Sequence, residues 1–503
     1  MRSPFSILIS LYQRVTDGDS TEEQTIHSGI WAAGINAGDR GLQLLKVVIL
    51  ARLLSPGAFG LLGISLLTLM ALRRFSQFGI DQALIQHKNE NVDEYLNTVW
   101  VMKFTRGTII GLVAISLAPL IAEFFDEPAA EGLIRAIGIS PIILGTQNPA
   151  VVYFKKNLNF HKEFAYQVGG RLMDIVAAVT FALIYGNVWA LAVGIISSNA
   201  TKTIISYIVH DFRPKFNFNL EYAKEMFGFG KWLLLSSILI FLYGQGDDAF
   251  IGWFFGASSL GIYQLAYRFS NAPATEVTHV ISRVTFPAYS KVQDDVERLR
   301  QGYFQALKIS AIISFPMVTG IVVIAPLFVS AILGPEWKPM VPLIYAMSIW
   351  GIIRSLGANI GPVFKAVGRP DYDTKIQVVK VIFIGLFIYP AAEAFGTVGV
   401  VYTLVGSAVL TMPILYYLSL SIVNGELSRL VTITVYPAIG SATMFAFLTY
   451  VKRNILRIAE IVQIPILILL GIAAYTAIML IFDKYLNYDT IGFYHSLRNA
   501  VQP

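Results

Sequence analysis

Charged side chains interrupt the long apolar runs of this chain at few positions, and these are the residues with chemistry to offer. The basic ones are Arg40, Arg52, Arg73, Arg74, Lys103, Arg106, Arg171, Arg268 and Arg354. An arginine fork donates paired hydrogen bonds to an oxyanion, so these are candidate anion-holding groups. The acidic ones are Asp174, Asp247, Asp248 and Glu276. A carboxylate shielded from water can take up and release a proton, which suits Asp247, Asp248 and Glu276 to coupling with a proton or sodium gradient. Each residue also has a plainer reading. Arg73, Arg74, Lys103 and Arg106 can snorkel to lipid headgroups, and Arg52 lies close to a helix end. Arg171 and Asp174 are three apart and can pair on one helix face. Arg268, Arg354 and Asp247 can each sit in a salt bridge that only fixes packing.

Other chemistries are excluded. The chain has no cysteine, which removes disulfides, thiol catalysis and thiolate metal sites. Its six histidines are scattered, without the HExxH spacing of a zinc enzyme, so no metal site is expected. The phosphate-cradling GxxxxGK(S/T) loop is also absent. Nothing points to a catalytic residue, and the chain is read as a non-enzyme with no organic cofactor.

The elements that must position these charges are membrane helices. Of 503 residues, 55% are hydrophobic and only 14% charged, and the mean hydropathy is +0.61. A soluble domain carries about 25% charged residues, so this chain cannot cover a water-facing globule. A bilayer crossing needs roughly 20 mostly apolar residues. The runs are continuous rather than alternating, which selects helices over a barrel. Spans are expected at about 28–50, 59–80, 98–122, 133–153, 167–186, 188–210, 229–254, 260–285, 305–333, 340–365, 374–394, 397–423, 430–450 and 458–482. That makes an all-α polytopic membrane protein of about fourteen helices. Residues 294–300 read as a solvated amphipathic linker, and Trp31, Trp100, Trp189, Trp253, Trp337 and Trp350 mostly as interface anchors.

Loop charge orients the spans. Lys155, Lys156 and Lys162 follow the fourth, Arg213, Lys215 and Lys224 the sixth, Lys291, Arg298 and Arg300 the eighth, and Arg369 the tenth. The alternate loops, such as Gly334–Lys338, are poorer in basic residues. The positive-inside rule puts the first set, and both termini, in the cytoplasm. Residues 1–27 show no cleavage pattern and read as a cytoplasmic tail. Lys452, Arg453 and Arg457 run against the rule on the outer side. The net charge of +6 fits basic cytoplasmic loops rather than nucleic-acid binding.

The two halves resemble each other. Phe59-Gly60-Leu61 aligns with Leu260-Gly261-Ile262, a shift of 201 residues (59 to 260). Phe154-Lys155 aligns with Phe364-Lys365, and Gly186-Asn187-Val188 with Gly396-Thr397-Val398, both shifted by 210 (186 to 396). Six helices in each half give a parallel repeat, a transporter plan. The expected division is a tail 1–27, an N-lobe 28–212, a C-lobe 213–425, two further helices over 426–484 and a cytoplasmic tail 485–503.

The stretch Ala51-Arg-Leu-Leu-Ser-Pro-Gly-Ala-Phe-Gly-Leu-Leu, with Phe78-Gly79-Ile80 and Ala83-Leu84-Ile85-Gln86, resembles the start of polysaccharide-transporter flippases. So do Ile251 to Tyr267 and Ile281 to Asp295. The family belongs to the multidrug/oligosaccharidyl-lipid/polysaccharide superfamily, and within it the Wzx-type colanic acid exporters are the nearest group. The resemblance runs over about residues 30 to 425. Gln245-Gly-Asp247 is similar to the family's Asn-x-Asp in the seventh helix, with glutamine replacing asparagine. Leu72-Arg73-Arg74 is similar to a motif of the lipid II flippases rather than of the colanic acid type.

The resemblance implies two six-helix bundles working by alternating access in the cytoplasmic (inner) membrane. It implies an undecaprenyl-diphosphate-linked oligosaccharide as cargo, for exopolysaccharide, capsule or O-antigen synthesis. Membrane lipid, a polysaccharide polymerase and export machinery are the partners it suggests, with no nucleic acid. Arg40, Arg73, Arg74, Arg106, Arg268 and Arg354 are then the candidates for the diphosphate. The competing reading is a cation-coupled small-molecule exporter of the multidrug type on the same fold. Such exporters usually have twelve helices and a less cationic interior, whereas this chain reads as fourteen helices with many arginines.

Overall fold

The computed structural model describes residues 38–39, 41–76, 93–156, 160–222, 231–456, 458–486 and 488. Helix is the dominant element, as the hydropathy expects, because a backbone in lipid must close its hydrogen bonds within each segment. In chain order the main helices are α1 (41–53), α2 (Pro56–Phe75), α3 (Asp93–Phe124), α4 (Pro128–Gly145), α5 (Phe160–Tyr185) and α6 (Trp189–Val209). They are followed by α7 (Lys231–Lys291), α8 (Val296–Phe328), α9 (Met340–Gly357), α10 (Asp371–Val423), α11 (Leu427–Asn454) and α12 (Glu460–Leu486).

Among the described residues eleven helices are long and apolar enough to cross a membrane. The sequence reading expected fourteen spans. Part of the difference lies in α7 and α10, each of which joins two expected spans. Gly256 (φ 81°) breaks α7 and Gly396 (φ 62°) breaks α10. Both take backbone angles that only glycine adopts cheaply. The first expected span begins outside the described residues, as does the tail 1–27.

The expected repeat has a backbone counterpart. Gly186, between α5 and α6, has φ 60°, and its partner in the alignment is Gly396, at φ 62°. Two helices therefore reverse on the same left-handed glycine in each half.

Local rules explain the starts of α2 and α8. Ser55 caps α2 by accepting from the Ala58 N–H at 3.4 Å, with Pro56 in the first turn. Asp295 caps α8 through the Arg298 N–H at 3.1 Å. This corrects the expected linker: residues 296–300 are the first turns of α8. The fourth expected span, 133–153, is also corrected. Helix α4 stops at Gly145, and Pro149, which has no N–H, opens a separate short turn. Buried Asn148 holds that break, accepting from the Ala150 N–H at 3.0 Å and donating to the Phe212 carbonyl at 2.8 Å.

The chain divides into two compact units. One holds the chain up to Gln245 with Gly252–Ser258; the other holds Gly246–Ile251 with Ser259–Pro503. In the first unit, Leu50, Leu54, Ala58, Ala178, Ala182 and Leu191 join α1, α2, α5 and α6. Helices α3 and α4 approach through small residues, as membrane helices do. A Cβ on Gly107 would lie 2.2 Å from the Pro141 carbonyl oxygen, and one on Gly111 2.6 Å from that of Gly138. Glu127 accepts from the Ala257 N–H at 2.8 Å, tying the glycine break of α7 into this unit.

In the second unit, Tyr303, Phe304, Leu307, Val363 and Phe364 form a core around α8. Val323, Leu327, Met444, Leu448, Leu467 and Met479 pack α8 with α11 and α12. Hydroxyls inside helices return to the preceding turn, as with Ser65 to the Leu61 carbonyl, Thr68 to Ile64 and Ser310 to Ala306. Large apolar side chains such as Leu183, Ile208, Leu386 and Leu469 remain exposed, as a lipid-facing surface requires. The tryptophans depart from expectation. Trp100, Trp337 and Trp350 are buried, and only Trp189 and Trp253 are exposed among those described.

The small-residue contact gives a test. Gly107→Leu should force α3 from α4 and lower stability in detergent by about 1–3 kcal/mol, the usual cost of overpacking. Gly385→Ala, where a Cβ meets nothing within 4 Å, should leave the unfolding midpoint nearly unchanged. Equal midpoints for both variants would contradict the packing.

Candidate functional site

In the second unit, the last turns before the α7 break carry Asp247 and Asp248. The first turns after it carry Tyr263, Gln264, Tyr267 and Arg268. The sharp reversal at Gly256 lets two consecutive stretches of one chain face each other. Asp247 is buried and accepts from the Tyr263 hydroxyl at 2.5 Å, with Tyr263 wholly enclosed. Gln264 and Arg268 lie close enough to act on the Asp248 carboxylate.

Helix α9 brings the second basic group. Arg354 donates from Nη1 to the Tyr267 hydroxyl at 2.8 Å, and its guanidinium carbon lies 5.2 Å from the centre of the Trp350 ring. Tyr267 and Trp350 also touch, with ring centroids 5.7 Å apart. The field of Arg354 reaches Asp247, and Lys380 on α10 lies within electrostatic reach of Arg354. Arg354 is exposed and forms no ion pair among the described residues. An aromatic face and a hydroxyl orient this cation without neutralising it. The arrangement can hold an anion at Arg354 and exchange a proton at Asp247 or Asp248.

The first unit handles its charges differently. Arg171 on α5 forms a two-pronged pair with Asp39, Nε to Oδ1 at 2.7 Å and Nη2 to Oδ2 at 3.1 Å. It also meets Asp174 at 3.3 Å, the pairing that the three-residue spacing suggested. Lys46 of α1 reaches the other oxygen of Asp174 at 2.5 Å, and both side chains are nearly enclosed. Removing one partner of such a buried pair typically costs about 3–5 kcal/mol, so this pair fixes α1 against α5.

Of the sequence candidates, Arg268, Arg354, Asp247 and Asp248 are gathered in one site of the second unit. Arg73, Arg74 and Arg106 lie together in the first unit. Arg106 donates to the Arg73 carbonyl at 2.9 Å and to the Ser76 hydroxyl at 3.2 Å, so part of its fork ties α3 to the end of α2. Arg74 and Arg52 are exposed, and Arg73 is half-buried. Arg40 lies outside the described residues, as does the Glu276 side chain. Sequence reasoning did not single out Tyr263, Gln264, Tyr267 or Lys380. Tyr263 and Tyr267 are four apart, one turn of α7. A polar stripe at helical spacing across from Asp247 and Asp248 was the signal available.

The profile of the family described as "Polysaccharide biosynthesis protein" matches residues 49–342. The chain is 28% identical over 429 residues to the lipopolysaccharide biosynthesis protein WzxC of Escherichia coli (strain K12), covering 84% of this chain and 83% of that one. It is 24% identical over 340 residues to the succinoglycan biosynthesis transport protein ExoT of Rhizobium meliloti (strain 1021), covering 67% and 68%. The fold is similar to that of the lipid II flippase MurJ in an inward closed conformation. The TM-score is 0.72 at 14% identity, over 91% of this chain and 99% of that one.

Proposed function

The chain belongs to the polysaccharide biosynthesis protein family, and from that premise we propose that it flips a polyprenyl-diphosphate-linked oligosaccharide across the membrane. The transport role printed in the name of one relative, the lipopolysaccharide biosynthesis role in that of another and the fold shared with a lipid II flippase support this reading. The observation that carries it is Arg354: a cation within an apolar helix, oriented by Tyr267 and Trp350, with no ion pair among the described residues. A charge inside a membrane helix is costly unless it meets a counter-charge or water. A diphosphate supplies the counter-charge when cargo is bound, and Arg268 follows Tyr267 directly on α7.

The carrier is undecaprenyl diphosphate in this proposal. Its sugar passes through a hydrated path by alternating access while the lipid tail stays in the bilayer. Asp247 and Asp248 reset the cycle by exchanging a proton or sodium ion. The repeat unit then passes to a polysaccharide polymerase and export machinery. The protein sits in the cytoplasmic membrane with both termini inside, in line with the basic residues around Lys215 and at the start of α8, such as Arg298.

Four experiments test these points. A deletion strain without a redundant flippase should lose surface polysaccharide and accumulate the complete lipid-linked repeat. Arg268→Ala/Arg354→Ala should fail to restore the polymer at normal protein level, whereas full restoration would reject charge capture. Unchanged polymer in the deletion strain would favour the small-molecule exporter.

In proteoliposomes, Asp247→Asn should abolish the response of flipping to an imposed proton or sodium gradient. A retained response would remove Asp247 from the coupling.

The natural absence of cysteine permits a topology test. An impermeant maleimide applied to intact cells should label Glu336→Cys and not Lys215→Cys. The reverse pattern would invert the orientation.

A further inference from the structure

Beside the ion-pair network of the first unit stands a lysine that is not one of its paired members. Lys202 lies within electrostatic reach of Arg171, Asp39 and Asp174, which with Lys46 make up that network. Lys202, on α6, donates to the Gln167 side-chain oxygen at 2.9 Å and lies over the Tyr166 ring, 5.6 Å from its centre. It forms no ion pair among the described residues. Its stem crosses α5 at Gly170, where a Cβ would lie 2.5 Å from Lys202 Cγ. The glycine leaves room for the lysine stem against α5, one residue from Arg171.

The network has an inner and an outer tier. The inner pair, Lys46 with Asp174, is 11% and 5% exposed; the outer pair, Arg171 with Asp39, is 27% and 32% exposed. Only the outer tier is accessible. Asp39 occupies the Arg171 fork through two parallel hydrogen bonds, the geometry by which a guanidinium also grips a phosphoryl group. Asp39 is thus a carboxylate seated where a phosphoryl oxyanion fits, with a second cation close by.

We propose that Arg171 and Lys202 form an anion site for a phosphoryl group, and that the incoming group displaces Asp39 from Arg171. Exchange replaces one anion by another on the same fork, so Arg171 keeps a counter-charge, while Lys202 gains one. The inner pair persists and holds α1 on α5. Asp39, on the chain just ahead of α1, is released. Arg171 is then a binding residue and Asp39 its intramolecular competitor. The phosphoryl group comes from the lipid-linked cargo, from an anionic phospholipid headgroup or from free phosphate. The first source rests on the function proposed above.

The test uses the full-length protein in phosphatidylcholine nanodiscs, with farnesyl diphosphate and inorganic pyrophosphate as probes and calorimetric affinity as readout. Asp39→Asn should tighten binding about tenfold, and Lys202→Met should weaken it about tenfold, each the scale of one charge-assisted hydrogen bond. Gly170→Val, which keeps every charge and only pushes Lys202 aside, should weaken binding in the same sense as Lys202→Met. A merely structural Asp39–Arg171 pair predicts the opposite for Asp39→Asn, unchanged or weaker binding, and either result overturns the proposal. A stronger response to farnesyl diphosphate than to pyrophosphate identifies a prenyl-linked source. Equal responses identify a free phosphoryl anion. Loss of the probe response in phosphatidylglycerol nanodiscs, where anionic headgroups already fill the site, identifies a headgroup. If these variants bind as wild type while Arg268→Ala/Arg354→Ala abolishes binding, the first-unit site is wrong and the proposed function stands. If wild type binds neither probe in either lipid, both fall.

Discussion

An ionisable side chain in a membrane span must find a counter-charge, a hydrogen-bond partner or water, and the structure follows from how each unit meets that demand. In the first unit the partners are internal. Asp174 is shared between Lys46 and Arg171, and Arg171 between Asp174 and Asp39. These pairs join α1 to α5 more firmly than apolar contact alone, because lipid offers no hydrophobic drive for helix association. In the second unit the partners are largely neutral. A tyrosine hydroxyl holds Asp247, and an aromatic pair orients Arg354. Neutral partners fix a position and leave the charge available.

The two units share a glycine turn but not this chemistry. Gly186 and Gly396 make the same left-handed reversal 210 residues apart. Carried across by that shift, Arg171, Asp174 and Lys202 fall on Val381, Ile384 and Met412. The ionic network of the first unit therefore has no counterpart in the second. By the shift of 201 that fits the earlier helices, Asp247 falls on Lys46, an acid against a base. A repeat preserves the turns and small-residue contacts that build helices, while the polar positions inside them are free to diverge. The divergence is where the two halves can take separate roles.

The helical architecture was legible because its cause is local. Apolar runs, Ser55-Pro56 and the glycine turns each act within a few residues. The expected breaks near 254–260 and 394–397 fall at Gly256 and Gly396. What the sequence concealed depends on neighbours distant along the chain. Asn148 looks like any polar residue at a helix end, and its role appears only when Phe212 comes to it. The amphipathic stretch after Asp294 has the charge of a linker, yet Asp295 caps it into α8. Trp337 and Trp350 have the composition of interface anchors and are buried instead.

The site was partly legible for the same reason. Arg268, Arg354, Asp247 and Asp248 stood out because charge in an apolar run is rare, and rarity is visible without geometry. Tyr263 and Tyr267 did not, since aromatic residues are ordinary in membrane helices. Yet these tyrosines decide what the charges can do. A carboxylate at Arg354 would have produced another closed pair like Lys46 with Asp174, stable and inert. Tyr267 donates no charge, so the guanidinium stays a cation facing outward from its aromatic support. The uncharged members of the cluster separate a group that can engage an ionic cargo from one that only holds helices together.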